Sequence, residues 1–101
     1  VDVRYRAADI ADPDSVAALV AYAQSEFGAL HGIVHCAGVA GDQPLTTIDD
    51  ADFDAMLSPK LEGTVLLDRA TAALPLDFVV AFSSVSALIG DLGAGAYAVG
   101  N

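Results

Sequence analysis

The sequence predicts an α/β fold, a partial doubly wound parallel sheet with helices on both faces. Three observations predict it. Strand-like and helix-like patterns alternate along the chain with no repeats, linkers or low-complexity tracts. The last strand candidate, Asp77 to Ser84, is a near-continuous apolar run, as expected where both faces of a parallel sheet are covered. Of the 101 residues, 54% are hydrophobic and 18% charged, which excludes disorder. The element order is β-α-β-α-β-α, and right-handed crossovers join its strands into one parallel sheet of three.

The first element, Val1 to Asp9, places Val1, Val3, Tyr5 and Ala7 on one face and predicts a strand. Asp12 then suits an N-cap, and Pro13 suits the first helical position, where no N–H is needed. Val16, Leu19, Val20, Ala23 and Phe27 form an apolar stripe at helical spacing, and Gly28 suits a left-handed cap. "LHGIVHCAG", Leu30 to Gly38, predicts a short buried strand running into a glycine turn. Helix signals resume at Asp49–Asp50 and continue to about Leu74, with Phe53, Leu57, Leu61 and Val65 as apolar positions. Pro59 lies inside that stretch and is expected to kink it or break it in two. "DFVVAFSS", Asp77 to Ser84, reads as a central strand, and "AYAVGN" as the first turns of a last helix. The whole chain is expected to be part of one domain, the piece of a longer protein.

Composition excludes several functions. The net charge is −10 with only four basic residues, too few to neutralise a row of phosphates or to hold an anionic membrane surface. The longest uncharged apolar stretch, Phe78 to Gly90, is too short and too serine-rich to span a bilayer. No signal pattern opens the chain, and a cytoplasmic location is expected. Cys36 is the single cysteine, so neither an internal disulfide nor a multi-cysteine metal site can form. It reads as a small buried hydrophobe. No metal site is expected.

In sheets of this kind ligands bind beyond the carboxyl ends of the strands. Those ends fall at Asp9–Ile10, Cys36–Gly38 and Ser83–Ser84. Ser84 ends the last strand, and Tyr97 follows thirteen residues later on the next helix. A loop of that length can bring the two hydroxyls together. Spacing alone is equally compatible with a tyrosine that merely packs on a strand. A phenol with a pKa of about 10 donates a proton at neutral pH only if a cation stabilises the phenolate. Lys60 is the only lysine. It is either a solvated side chain or, if it faces the strand ends, that cation. Asn101 stands one helical turn after Tyr97 and shares its face. His35 reads as a packed strand-end histidine and His31 as a surface residue.

Four stretches now combine in order: "AADIAD", "VHCAG", "SPKLEGTVLLDRAT" and "FSSVSALIGDLGAGAYAVGN". Together they resemble the ketoreductase domain of modular polyketide synthases, in the short-chain dehydrogenase/reductase superfamily. The second resembles the H-x-A-G turn, equivalent to N-N-A-G in simpler members. The third resembles P-K-x-x-G-x-x-x-L, and the fourth F-S-S followed by G-x-x-G-x-x-x-Y-x-x-x-N. Simple members carry Y-x-x-x-K, whereas this chain has Asn101 at the lysine position. In polyketide ketoreductases that asparagine is usual and the lysine comes from the preceding helix, where Lys60 stands.

The resemblance implies a Rossmann-like sheet that lacks its first glycine-rich βαβ unit. It also implies NADPH-dependent reduction of a β-ketoacyl thioester on an acyl carrier protein, among other synthase domains. It gives Tyr97 as proton donor, Ser84 as ligand of the substrate carbonyl, Lys60 as the group that makes Tyr97 a stronger acid, and Asn101 as support for the lysine or a relay water. It gives the cofactor Asp9, Ile10, Cys36, Ala37 and Gly38, with Asp9 accepting from the adenine amino group. Ala37 and Gly38 would let the backbone approach the dinucleotide. No glycine-rich pyrophosphate loop is present, since "GDLGAG" follows the wrong strand, so NADPH is implied by the resemblance alone. By themselves these residues are expected neither to hold the cofactor tightly nor to turn over. Ile89 stands where one stereochemical class carries a tryptophan, and Asp42 alone matches the L-D-D marker of the other, a weak lean toward the latter. A degenerate scaffold domain and a stand-alone reductase of small carbonyl compounds are the competing readings. The complete set of Lys60, Ser84, Tyr97 and Asn101 counts against the first, and Asn101 against the second.

Overall fold

The computed structural model describes residues 1–41 and 43–101. Six elements follow in order: helix α1 (Pro13–Phe27), strand β1 (Gly32–His35), helix α2 (Asp50–Thr71), strand β2 (Phe78–Ala81), and the short helices α3 (Ser86–Ile89) and α4 (Gly95–Gly100). β1 and β2 pair in parallel, Gly32 opposite Phe78 and His35 opposite Ala81. α2 is the crossover between them, as a parallel pair requires. The ladder runs on one step past each end, with Asp77 N–H donating to His31 O at 2.7 Å and Phe82 N–H to His35 O at 2.9 Å.

Local chemistry explains α1. The Asp12 carboxylate accepts from Ser15 N–H at 2.8 Å, Pro13 opens the helix, and Gly28 closes it at φ 80°. Val16 and Val20 are buried, while Phe27, at the far end of the same stripe, is exposed. In α2, Asp49 caps by accepting from Asp52 N–H at 2.8 Å.

Four expectations need correction. Val1 to Asp9 forms no strand: its alternation is present, but no neighbouring strand among the described residues takes up its N–H and C=O groups. Val1, Val3 and Tyr5 stand exposed, and the sheet has two strands. Of the two outcomes expected at Pro59, a break does not occur: α2 runs unbroken from Asp50 to Thr71. The carbonyl that the proline deprives of a donor belongs to Ala55, which is exposed and can bond water instead. The buried line of α2 is Gly63, Leu67 and Thr71, whereas Leu61 and Val65 are exposed. Finally, β2 is not a covered central strand. It pairs with β1 on one side only, and Phe78, Val79 and Val80 are all exposed.

Gly63 is buried because Ile10 rests on it. A Cβ there would lie 3.1 Å from both Ile10 Cγ1 and Cγ2. That contact seats the Asp9–Ile10 bend on α2. α4 packs on the first half of α2, with Gly100 against Leu57. Between the sheet and the second half of α2 lies a groove of about 400 Å³, lined by Ile33, Leu67, Leu74 and Val79. The radius of gyration is 15.3 Å, against about 13 Å for a compact chain of 100 residues, as the unpaired N-terminal stretch demands.

Candidate active site

The carboxyl ends of β1 and β2 meet the middle of α2, and there the structure draws together most of the residues singled out above. Lys60 Nζ donates to Phe82 O at 2.6 Å, one residue past β2 and two before Ser84. The lysine stem passes over Gly38, where an added Cβ would come within 2.9 Å of Lys60 Cε. The space beside Gly38 therefore belongs to Lys60. Lys60 thus faces the strand ends, as the second reading of that residue requires.

His35 is buried, as its strand-end position predicts, with 5% of its surface exposed. Its Nε2 lies 3.1 Å from Pro59 O. A carbonyl can only accept, so Nε2 carries the proton. His31 is a surface residue facing Asp77 at 3.2 Å.

Ser84 is half-buried, and its Oγ accepts from Ser86 N–H at 3.2 Å, which leaves the hydroxyl proton free to donate. Its neighbour Ser83, named above only as part of the strand end, donates from Oγ to Asn101 O at 2.6 Å. The serine doublet was the available signal for it. Asn101 Nδ2 donates to Tyr97 O at 2.7 Å. Asn101 Oδ1 is buried without a partner among the described residues, an acceptor held open. Tyr97 is half-buried on α4. Among the described residues no direct hydrogen bond links the Tyr97 phenol, Ser84 Oγ and Lys60 Nζ.

Four of the five predicted cofactor residues line one open recess: Asp9, Ile10, Ala37 and Gly38, with Ser15 and Pro59. Asp9 folds over α1's start, its N–H donating to Ser15 Oγ and its Oδ1 accepting from Ala11 N–H, both at 2.9 Å. Its second carboxylate oxygen takes no hydrogen bond among the described residues and can accept one, which is compatible with an adenine amino group at the recess. Cys36 is not part of the recess lining, and it is exposed, not buried. It follows His35 where the ladder ends and side chains alternate faces, so a buried His35 turns Cys36 outward. Asp42 lies outside the described residues. Ile89 is exposed on α3. α3 itself was not foreseen, because its four residues fall inside what reads as a loop.

A family model described as the KR domain matches residues 1–101. This chain belongs to the KR domain family. It is 43% identical over 99 residues to the polyketide synthase ThaG of Burkholderia thailandensis, which covers 98% of this chain and 2% of the synthase. A ketoreductase domain from the bacillaene assembly line superposes with a TM-score of 0.93 at 36% identity, over 99% of this chain and 24% of that one. A short-chain dehydrogenase from Mycobacterium avium superposes with a TM-score of 0.83 at 28% identity, over 92% of this chain and 36% of that one. The KR chain therefore spans about a quarter of the solved ketoreductase and a small fraction of the synthase. The Rossmann-type architecture expected from the sequence is that of these relatives, of which the two-stranded parallel sheet is a part.

Proposed function

We propose that this KR chain carries the proton-delivering part of an NADPH-dependent ketoreductase that reduces a β-ketoacyl thioester to the β-hydroxyacyl thioester. The observation that carries the reading is the placement of Lys60. A lone ammonium sits on Phe82 O at 2.6 Å, two residues before Ser84. A cation at that point has no structural duty as an ion pair, since no carboxylate bonds it among the described residues.

When bound, the nicotinamide supplies the hydride. The Ser84 hydroxyl, its proton uncommitted, donates to the substrate carbonyl oxygen. Tyr97 gives that oxygen its proton as charge develops there. The Lys60 ammonium stabilises the phenolate left behind. Asn101 Oδ1, buried and without a partner, accepts from a water or from the ammonium and so supports the return of the proton. Asp9 and Ile10 receive the adenine edge, with Ala37 and Gly38 along the dinucleotide. The relatives' place in a polyketide synthase and an assembly line supports neighbouring synthase domains; the reading adds an acyl carrier protein as bearer of the substrate and a cytoplasmic location.

The test is Tyr97→Phe in a ketoreductase of full domain length carrying these residues. NADPH-dependent reduction of a β-ketoacyl thioester mimic is expected to be lost while NADPH still binds. Undiminished turnover refutes the mechanism. A wild-type protein that binds no NADPH refutes the enzyme and leaves a scaffold.

A further inference from the structure

Lys60 is held by more than its own hydrogen bond. Phe82 O accepts from Lys60 Nζ at 2.6 Å, while Phe82 N–H donates to His35 O at 2.9 Å. His35 Nε2 in turn donates to Pro59 O at 3.1 Å, the carbonyl joined to the Lys60 nitrogen. These three bonds close a circuit that runs His35, Pro59, Lys60, Phe82 and back to His35. Two of its four members stand at the strand ends, and the other two, adjacent in sequence, lie in the middle of α2.

We propose that His35 is a positioning residue for Lys60, setting the height of α2 over the strand ends so that the ammonium reaches Phe82 O. Proline explains why a side chain is needed there. Pro59 weakens the helical ladder at that turn, because it offers no N–H to Ala55. The same turn carries Lys60, so its register needs an outside anchor. The buried imidazole, 5% exposed, supplies one from the end of β1, with Nε2–H fixed as the donor by the carbonyl it faces. Burial of the imidazole strengthens the bond, since water competes little for its Nε2–H. His35 itself touches neither the cofactor recess nor the serine hydroxyl; it acts through Lys60. The proposal rests on the assignment of Lys60 to the reaction, but its geometric half does not.

That half is read by chemistry at the amine. Lys60 is the only lysine among these 101 residues, and its acylation by a water-soluble active ester is followed on the peptide that contains it by mass spectrometry. In a ketoreductase of full domain length carrying these residues, His35→Leu removes the donor and keeps the bulk apolar. Its Lys60 is expected to acylate at least about threefold faster, and kcat to fall about tenfold or more, as displacements near 1 Å do, with the NADPH KM within about twofold of wild type. His35→Gln places an amide N–H where Nε2 stands and should restore both. Should the Leu variant fail to fold, His35→Gln against the shorter His35→Asn carries the comparison, because only the former reaches Pro59 O. An unchanged acylation rate in the variant lacking the donor, or a Gln variant that behaves like it, overturns the proposal. Lys60→Ala run alongside separates the two claims. If it turns over normally, the role of the lysine fails, while the acylation rates still decide whether His35 holds it.

Discussion

Gly38→Ala tests how tightly the lysine is confined. The new Cβ would stand 2.9 Å from Lys60 Cε, whereas carbon atoms rest at about 3.5–4.0 Å. Lys60 Cε must therefore retreat by about 0.6–1.1 Å, the difference between those distances and 2.9 Å. The obstructing atom is the far end of a flexible stem, so the fold adjusts cheaply. Gly38 does not have a positive φ, so alanine fits the backbone and narrows the unfolded ensemble, worth about 0.4–1 kcal/mol in favour of the native state. The ammonium, in contrast, loses its 2.6 Å seat on Phe82 O. A displacement of that size costs on the order of 100-fold in rate. The assay is turnover of a β-ketoacyl thioester mimic, with NADPH affinity by fluorescence titration and the melting midpoint by calorimetry. The expected result is an unchanged or raised midpoint with a large loss of kcat. Wild-type kcat at unchanged stability refutes the reasoning. So does a loss confined to NADPH affinity, since Gly38 would then serve the dinucleotide and not the lysine.

Two further outcomes follow from hydrogen bonds already described. Asp9→Asn keeps an Oδ1 for Ala11 N–H but replaces the second acceptor by a donor, so the NADPH Kd is expected to rise about tenfold, one unsatisfied hydrogen bond's worth, with kcat and melting midpoint unchanged; an unaltered Kd removes Asp9 from the site. Asp12→Ala deletes the 2.8 Å cap on Ser15 N–H and is expected to cost about 1 kcal/mol by chemical denaturation without affecting kcat; a larger kinetic than thermodynamic effect contradicts a purely local role.

What the sequence made legible was local. Asp12, Pro13 and Gly28 bracket α1 because caps are decided within a turn of the chain. The strand-end rule pointed to Ala37 and Gly38, which line the recess, whereas Asp9 and Ile10 were reached from a strand that does not form and join the recess through the bend over α1. What stayed hidden depended on distant neighbours. Alternation in Val1–Asp9 is real, but a strand exists only where another strand meets it. The face α2 buries is set by Ile10 on Gly63, and a glycine has no hydrophobicity to announce the contact. Leu61 and Val65 looked more apolar and lie outside. Phe82 reaches Lys60 through its carbonyl oxygen, and Pro59 reaches His35 the same way. Backbone acceptors are common to all residue types, so no pattern of side chains reveals them. Cys36 was misplaced because burial frequency describes cysteines in general, while its own outward turn follows from the buried residue before it.

The circuit around Lys60 has a kinetic side. Its bonds span 24 residues from His35 to Pro59, 22 from Lys60 to Phe82, and 47 between His35 and Phe82. None can form while the chain is only locally ordered, and each closes a long loop whose entropy must be met before any contact rewards it. α2 can wind early, on its own caps, without bringing the ammonium to any address. Only when β2 docks beside β1 do Phe82 and His35 join, and in that same event the lysine acquires its acceptor. A form with its helices wound but β2 undocked would leave the ammonium without that acceptor, so the seat of Lys60 would arrive with the strand pairing and not by degrees.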